Sequence, residues 1–193
     1  NDINLFSAES VGPIRSKLHP RISVTARWIL TIYIALTIVC SISLRLAGMS
    51  WFDAVCHAMS TIATGGFSTK QASIAAFDSP LIEYVITFFM FVSGVNLSLL
   101  YLAIFKVRPM ALLRDTEFKT YFSVVAAFSF IIGLALCFTS DMNVADAARA
   151  SLFQVVSLQT TTGFATVNYA VWMPLLWLLL CALMFIGACS GST

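Results

Sequence analysis

The stretch that decides the fold is Thr160-Thr161-Thr162-Gly163-Phe164-Ala165-Thr166, because an earlier stretch, Ala63-Thr64-Gly65-Gly66-Phe67-Ser68-Thr69, repeats its pattern. At an offset of 97 residues, five of the ten positions from 60 to 69 are identical to those from 157 to 166. A repeat of this kind is sought first, because it sets the number of structural units in a chain. The sequence therefore predicts two equivalent units, each with a polar, glycine-containing loop.

The composition is that of an integral membrane protein. Of the 193 residues, 59% are hydrophobic and 10% are charged, whereas soluble domains contain roughly 25% charged residues. The long uncharged runs are 28–44, 84–105, 120–140 and 150–193. Because a helix needs about 20 apolar residues to cross a bilayer, the first run is marginal alone and the last is too long for one span.

The first unit is predicted to contain an outer helix (28–46), a short helix (49–62), the first loop (63–69) and an inner helix (81–105). Ser50 can cap the short helix, and Asp53 complements its dipole in the first turn. This helix of about 13 residues reaches roughly 20 Å, which is too short to cross the membrane. It must enter the membrane and stop.

The same order is predicted for the second unit. It begins with an outer helix at 120–140, followed by a short helix at 144–159 with Asp141 or Asn143 as its cap. The second loop covers 160–166, and an inner helix starts near 171. Both units begin on the same side of the membrane, so they run parallel, whereas carriers with rocking inverted repeats have units of opposite orientation. This arrangement favours a channel-like pore.

The basic residues predict the orientation in the membrane. Eight of the eleven Lys and Arg lie in segments 1–27 and 106–119, which are therefore expected on the cytoplasmic side, so that both loops face outward. The outer side contains several carboxylates: Asp53, Asp78, Glu83, Asp141 and Asp146. They concentrate cations at the pore mouth or are ordinary solvated surface charges, and both interpretations stay open.

The loops contain the groups that can bind an ion. Irregular backbone at membrane depth occurs only where it is buried in protein or lines a water-filled cavity. A short helix followed by Thr-x-Gly-Phe therefore predicts carbonyls that replace the hydration shell of a cation, and glycine permits the dihedral angles that turn these carbonyls to one side. Thr64 and Thr161 add hydroxyl oxygens or support the loops from behind. Phe67 and Phe164 are expected to pack against the surrounding helices.

The charge of the loops indicates the type of ion. Neither loop contains a carboxylate, which favours a weakly hydrated monovalent cation over calcium held by a ring of Asp or Glu. The C-terminal ends of the short helices, where the helix dipole is negative, are expected to point at the cavity below the loops. Both features predict a cation pathway.

The motifs resemble those of the Trk/Ktr/HKT superfamily of potassium transporters, most closely the bacterial Trk membrane subunit. Residues 60–69 (STIATGGFST) resemble the second filter segment of that family, and residues 153–166 (FQVVSLQTTTGFAT) resemble the third. The segment that resembles the start of the flexible intramembrane gate, called the gate segment below, consists of Gly187, Ala188, Cys189, Ser190, Gly191, Ser192 and Thr193. The resemblance covers nearly the whole chain.

The resemblance implies an all-α polytopic membrane protein with four repeats around a pseudo-fourfold pore, each with an outer helix, a re-entrant pore helix with its filter loop, and an inner helix. This chain shows two repeats (28–105 and 120–193), with 1–27 as a cytoplasmic approach segment and 106–119 as a basic cytoplasmic connector. We expect the chain to be part of a longer protein, because two filters cannot close a four-sided pore. The alternative is that two such chains dimerise into a complete ring.

The resemblance also assigns the ion-binding residues. The implied filter residues are Ala63, Thr64, Gly65, Gly66 and Phe67 in the first loop, and Thr160, Thr161, Thr162, Gly163 and Phe164 in the second. Potassium is expected at Thr64, Gly65, Gly66, Thr161, Thr162 and Gly163. In the family, glycine at the key position accompanies potassium and serine in some plant members accompanies sodium. Both Gly66 and Gly163 match the potassium form.

The implied function is potassium uptake across the bacterial cytoplasmic (inner) membrane, with K⁺ as the transported ion, no covalent cofactor and no enzymatic activity. The implied partners are the lipid bilayer, a second copy in a homodimer, and a ring of TrkA-like cytoplasmic, nucleotide-binding regulatory subunits; no nucleic acid is expected. Lys106, Arg108 and Arg114 contact that ring or anchor the helix ends to anionic lipid. A sodium/potassium symporter or carrier of the same superfamily is the alternative.

Three side chains allow other interpretations. Ser190 could be the nucleophile of an intramembrane protease, but it would need a histidine base within hydrogen-bond reach, and His19 and His57 both lie outside the predicted spans. His57 is expected to pack and support its short helix instead of sensing protons. Asn96 lines the inner pore or bonds a neighbouring helix.

Overall fold

The computed structural model describes residues 22–105, 114–140, 142–167, 172–189 and 191–192. Within these ranges the regular structure is entirely helical, which confirms the predicted all-α fold class. The elements are α1 (Ile22–Leu46), α2 (Trp51–Ile62), a 3₁₀ helix η1 (Ser73–Phe77), α3 (Pro80–Ser93), α4 (Leu97–Phe105), α5 (Thr116–Thr139), α6 (Val144–Gln159) and α7 (Pro174–Ile186).

The two outer helices are α1 and α5. Both are long and apolar enough to cross a membrane by length and composition. Large apolar side chains such as Leu30, Phe130 and Phe138 are exposed along them, as expected of helices that face lipid. Helix α1 begins at Ile22, six residues before the predicted start at 28, and includes Arg27 in its second turn, where a long charged side chain can reach water.

Parts of the predicted cytoplasmic segments lie outside the described residues. These parts are residues 1–21 of the approach segment and 106–113 of the connector. The orientation of the chain in the membrane therefore stays a prediction.

The short helices α2 and α6 end at equivalent positions of the repeat, Ile62 and Gln159. The predicted cap of α2 is confirmed, because the Asp53 amide donates to Ser50 Oγ at 3.1 Å. Asn143 occupies the cap position of α6 without a side-chain hydrogen bond to it, and Asp141 lies outside the described residues. Neither short helix is long enough to cross a membrane.

The first inner helix, α3, brings the two units together. It contacts α1 and α2 of its own unit and α6 of the second unit, while α6 also contacts α5 and α7. The packing is dense at this centre, where Ile86, Met90 and Phe153 are almost completely buried. Because α2 and α6 both pack against α3, their C-terminal ends lie in the same region, and the two loops that follow become neighbours.

An ion pair also joins the units at the N-terminal end of α3. Arg149 Nε of α6 donates to Glu83 Oε2 of α3 at 2.7 Å, and both side chains are largely buried. Arg149 Nη2 also lies 3.0 Å from Asp146 Oδ1 within α6. The pair thus fixes the start of the first inner helix against the second short helix.

The expected single inner helix over 81–105 is wrong, because the helix is interrupted between Ser93 and Leu97. At the interruption, the carbonyl of Gly94 accepts a hydrogen bond from the Cys189 amide at 3.1 Å. The Leu97 amide donates to the carbonyl of Gly191 at 3.1 Å. Backbone groups that a continuous helix would use internally are therefore paired with the gate segment, which is why the break is stable.

Close packing around Gly94 accompanies the interruption. A Cβ atom built on Gly94 would lie 2.5 Å from Tyr121 Oη and 2.8 Å from Thr160 Cγ2. The Tyr121 hydroxyl is held in place because it donates to the Phe91 carbonyl at 3.2 Å. Gly94 itself has ordinary helical dihedral angles, φ −74° and ψ −6°, so it is close approach and not backbone strain that requires glycine here.

Replacing Glu83 by Gln tests the ion pair between the units. We expect Glu83→Gln to lower the free energy of unfolding by about 1–3 kcal/mol, because a charge-assisted hydrogen bond between largely buried groups is lost. Thermal unfolding of the purified protein in detergent measures the change. Asp146→Asn is the matched control, since this more exposed carboxylate should contribute at most about 1 kcal/mol. An equal or larger loss for Asp146→Asn would contradict the assignment.

A second substitution tests the packing at Gly94. Gly94→Ala is expected to destabilise the protein by about 1–3 kcal/mol, because the new methyl group overlaps Tyr121 and Thr160. In a Tyr121→Phe background the nearest overlapping atom is absent, so the same change should cost less. The four proteins of this double-mutant cycle can be compared by thermal unfolding, and strictly additive effects would show that Tyr121 is not the limiting contact.

Candidate functional site

The two loops leave their helices in the same way. The residues that follow α2 and α6, Ala63 and Thr160, have nearly equal dihedral angles, with φ −78° and ψ 3° in the first and φ −81° and ψ 1° in the second. Each loop then folds back onto its own helix. The Gly65 amide donates to the Ser60 carbonyl at 2.8 Å, and the Gly163 amide donates to the Ser157 carbonyl at 3.2 Å.

Alternate residues of both loops have left-handed backbone angles. The φ values are +49° at Thr64 and +67° at Gly66, and +58° at Thr161 and +86° at Gly163. Threonine rarely adopts positive φ, and such strain persists only where the surrounding structure imposes it, typically at functional sites. The two loops therefore share the same pattern of positive φ at equivalent positions.

The two loops touch each other at Gly66. A Cβ atom on Gly66 would lie 2.0 Å from the carbonyl oxygen of Thr162, so only glycine fits between the loops at this point. A Cβ atom on Gly163, by contrast, would have no atom within 4 Å. The two equivalent glycines thus have different surroundings in the described part of the chain.

A polar network on α2 holds the end of the first loop. The Thr69 hydroxyl donates to Asp53 Oδ1 at 2.5 Å, and Ser50 Oγ donates to Asp53 Oδ2 at 2.8 Å. These hydrogen bonds lower the pKa of Asp53, with the Thr69 hydroxyl as the larger cause. His57 is completely buried, and its ring nitrogens lie 2.7 Å from the Asp53 carbonyl and 2.9 Å from Ser68 Oγ. The prediction that His57 packs and supports the helix is confirmed.

The second loop is held by different contacts. The Ser157 hydroxyl donates to the Phe164 carbonyl at 2.7 Å, and the hydroxyls of Thr160 and Thr162 lie 2.8 Å apart. Phe164 is buried, and its ring stacks on His57 of the first unit with centroids 5.9 Å apart. The predicted packing of Phe164 is therefore confirmed.

The same prediction is wrong for Phe67, whose side chain is 81% exposed. The repeat pattern suggested one role for both phenylalanines. Only Phe164 has the ring of His57 beside it, however, and no ring contact of Phe67 is seen among the described residues. Phe67 does lie over its own loop, since a Cβ atom on Gly65 would be 3.2 Å from Phe67 Cδ2.

Sequence reasoning missed two groups of residues at the site. It treated Asp53 as a dipole partner and as one of the outer carboxylates, although Asp53 and His57 are four residues apart and so share one helix face, a signal that could have indicated the network with Ser68 and Thr69. It also missed η1, which contacts the second loop: the amides of Ile74 and Ala75 donate to the Ala165 carbonyl at 3.1 and 3.3 Å. No local pattern in the sequence reports a contact between residues about 90 positions apart.

The gate segment is described at 187–189 and 191–192, whereas Ser190 and Thr193 lie outside the described residues. Helix α7 ends at Ile186, and Gly187 and Gly191 both have left-handed angles, φ +69° and +77°. Beside the segment is a cavity of about 350 Å³, lined in part by Gln159, Tyr121 and Gly187–Cys189. The segment therefore leaves helical geometry at its first residue and has free volume next to it.

The structure bears on two alternative kinds of site, a metal site formed by side chains and a serine protease site. Among the residues it describes, three or more His, Cys, Asp or Glu side chains do not come together as a metal-binding group. His57 is buried and has a hydrogen-bond partner at each ring nitrogen. Its partners are the Asp53 carbonyl and Ser68 Oγ and not a serine of the gate segment, and His19 lies outside the described ranges.

Comparison with known proteins identifies the family. The family model for TrkH, described as cation transport protein, matches residues 1–193. The Trk system potassium uptake protein TrkH of Halomonas elongata is 40% identical over 98% of this chain and 39% of its own length. The protein of the same name from Escherichia coli K12 is 41% identical over 99% of this chain and 40% of its own.

A solved structure of a TrkH protein is also similar to this chain. The crystal structure of the potassium transporter TrkH from Vibrio parahaemolyticus matches with a TM-score of 0.86 and 39% identity, over 92% of this chain and 38% of that one. The chain thus spans about two fifths of the length of these relatives. Because the family model matches every residue and the relatives agree over nearly the whole chain, this chain belongs to the TrkH family of cation transport proteins.

Proposed function

We propose that this chain forms part of a pore through which potassium ions enter a bacterial cell across the inner membrane. Residues 63–67 and 160–164 are two walls of the selectivity filter, and residues 187–193 are the beginning of its gate. The relatives reported above are named potassium uptake proteins, and the chain spans about two fifths of their length. The whole protein would supply the remaining walls of the pore.

One observation carries the proposal: two neighbouring loops have the same alternation of left-handed residues, at positions 64 and 66 and at 161 and 163. A row of carbonyl oxygens can replace the water around a potassium ion, whose hydration is weak, without any charged side chain. The absence of carboxylates from both loops agrees with this neutral form of coordination. Transport would then depend on loop geometry, which nearby hydrogen bonds maintain.

The proposed partners follow from the same function. The lipid bilayer surrounds the outer helices, a second copy of the protein forms a homodimer with the first, and a cytoplasmic nucleotide-binding regulatory ring controls the gate. The relatives are named as components of a Trk system, which supports an assembly with more than one part.

Gly163→Ser tests the filter. We expect this change in the full-length protein to lower the preference for potassium over sodium by about tenfold, or ~1.4 kcal/mol, because a side chain at φ +86° strains the loop and moves its carbonyls. Rubidium or potassium uptake with sodium as competitor, in a host without its own potassium uptake, measures the preference. Gly48→Ser is the matched control, since Gly48 also has positive φ and no atom within 4 Å of an added Cβ but lies outside both loops.

Gly66→Ser should have a more severe effect. Its Cβ would overlap the Thr162 carbonyl, so we expect loss of uptake for both ions instead of a changed preference. Unchanged discrimination in Gly163→Ser, or a change of the same size in Gly48→Ser, would mean that the ion path lies elsewhere.

Shortening the gate segment tests the gate. Deletion of residues 188–192 in the full-length protein removes the partners of Gly94 and Leu97 and is expected to raise uptake without the regulatory subunit at least severalfold. The measurement is uptake in hosts with and without that subunit, with Gly48→Ser as a control for nonspecific leak. Uptake that stays fully dependent on the subunit would exclude this segment as the gate.

A further inference from the structure

The two loops differ in the side chains that could hold their ends. At the offset of 97 residues, three of the polar residues that form the network of the first unit are replaced in the second. The pairs are Asp53 and Ala150, His57 and Gln154, and Ser68 and Ala165. The second unit therefore cannot form the carboxylate and imidazole contacts that hold the first loop.

The loss of these contacts leaves Thr166, the residue equivalent to Thr69, without a corresponding hydrogen bond within the described ranges. Thr69 donates to Asp53, but Thr166, its counterpart, is buried and its hydroxyl has no hydrogen-bond partner in the described part of the chain. The side-chain amide of Gln154 is likewise buried, and neither of its polar atoms has a partner there. The short helix supports the second loop as far as Phe164, through the Ser157 hydroxyl, but among the described residues it forms no hydrogen bond with Ala165 or with the Thr166 hydroxyl.

Support comes instead from the other unit. The Ala165 carbonyl accepts hydrogen bonds from the amides of Ile74 (3.1 Å) and Ala75 (3.3 Å), and the Ala165 amide donates to Ser73 Oγ at 3.3 Å. Both backbone polar groups of Ala165 are therefore paired with η1. We call this set of three hydrogen bonds the inter-unit anchor.

Burial and ring contacts around η1 hold the residues of the inter-unit anchor in place. Ile74 is 1% exposed, and the Phe77 ring lies edge-on to His57 at 5.3 Å, while His57 stacks on Phe164 of the second loop. Ser73 has φ +53°, an uncommon angle for serine that places its hydroxyl next to the Ala165 amide. Strain of this kind is maintained only by surrounding contacts.

We propose that Ser73 is a positioning residue for ion selection, because the inter-unit anchor sets the geometry of the second loop from the first unit. The first loop is held by its own helix, whereas the second loop is held by its own helix up to Phe164 and by η1 of the first unit at Ala165. The effect of Ser73 on ion selection rests on the proposed function. The hydrogen bonds of the inter-unit anchor do not depend on which ion is transported.

Ser73→Gly in the full-length protein tests the anchor, because glycine accepts the positive φ without strain but has no hydroxyl. Hydrogen exchange of the purified protein, followed by mass spectrometry, reports each loop separately. We expect exchange within 160–167 to rise roughly three- to tenfold, the effect of one lost hydrogen bond, with exchange within 60–69 unchanged. Ser68→Ala should do the reverse, since it removes the partner of His57 in the first loop.

Ser79→Gly is the matched control. Like Ser73→Gly, this substitution adds a flexible glycine to the segment between α2 and α3. Ser79, however, forms no side-chain capping hydrogen bond, and glycine is tolerated at this cap position. It should leave both loops protected. Unchanged exchange within 160–167 in Ser73→Gly, or equal increases in both loops, would overturn the anchor.

Ion uptake by the same variants tests the role in selection. Ser73→Gly should lower the potassium-to-sodium preference roughly three- to tenfold, whereas Ser79→Gly should not. Lost protection with an unchanged preference would overturn the role in selection. If the unmodified protein itself showed no preference for potassium, the proposed function would fail, while the exchange measurement would still decide whether the anchor exists.

Discussion

Irregular backbone inside an apolar structure must find a hydrogen-bond partner for each amide and carbonyl, and the rest of this structure depends on that constraint. The loops satisfy it first through their own short helices, by bonding the carbonyls of Ser60 in α2 and Ser157 in α6. The second loop is also bonded to η1 of the first unit, at Ala165. Burial of α2 and α6 between the outer and inner helices provides these partners in an environment without bulk water.

The repeat in the sequence does not produce equal surroundings. Gly66 faces the Thr162 carbonyl so closely that no side chain fits, whereas Gly163 has open space beside it. Phe164 stacks on His57 while Phe67 is exposed. When two copies of a segment lie side by side in the same orientation, the face of the first copy that contacts the second is different from the face of the second copy that contacts the first. Equivalent residues of the two loops therefore have different contacts.

Local signals predicted the helices and loops well. Uncharged runs located the outer helices, Ser50 located the start of α2, and the repeated glycines located the left-handed residues. What sequence reasoning missed has a common physical cause. The interruption at Gly94 depends on Cys189 and Gly191, and the position of the second loop depends on η1. These contacts join residues about 90 or more positions apart, and no propensity or periodicity within either segment reports them.

The interruption between α3 and α4 changes the interpretation of the gate segment. Ser93 and Gly94 are equivalent to Ser190 and Gly191 at the offset of the repeat, and the helix of the second unit ends at Ile186, four residues earlier than the equivalent end of α3 at Ser93. The two irregular segments then pair, through the Gly94 carbonyl with the Cys189 amide and the Leu97 amide with the Gly191 carbonyl. Each segment supplies groups that the other would otherwise leave unpaired. Any displacement of this segment would therefore either leave the Gly94 carbonyl and the Leu97 amide without these partners or rearrange the backbone between α3 and α4.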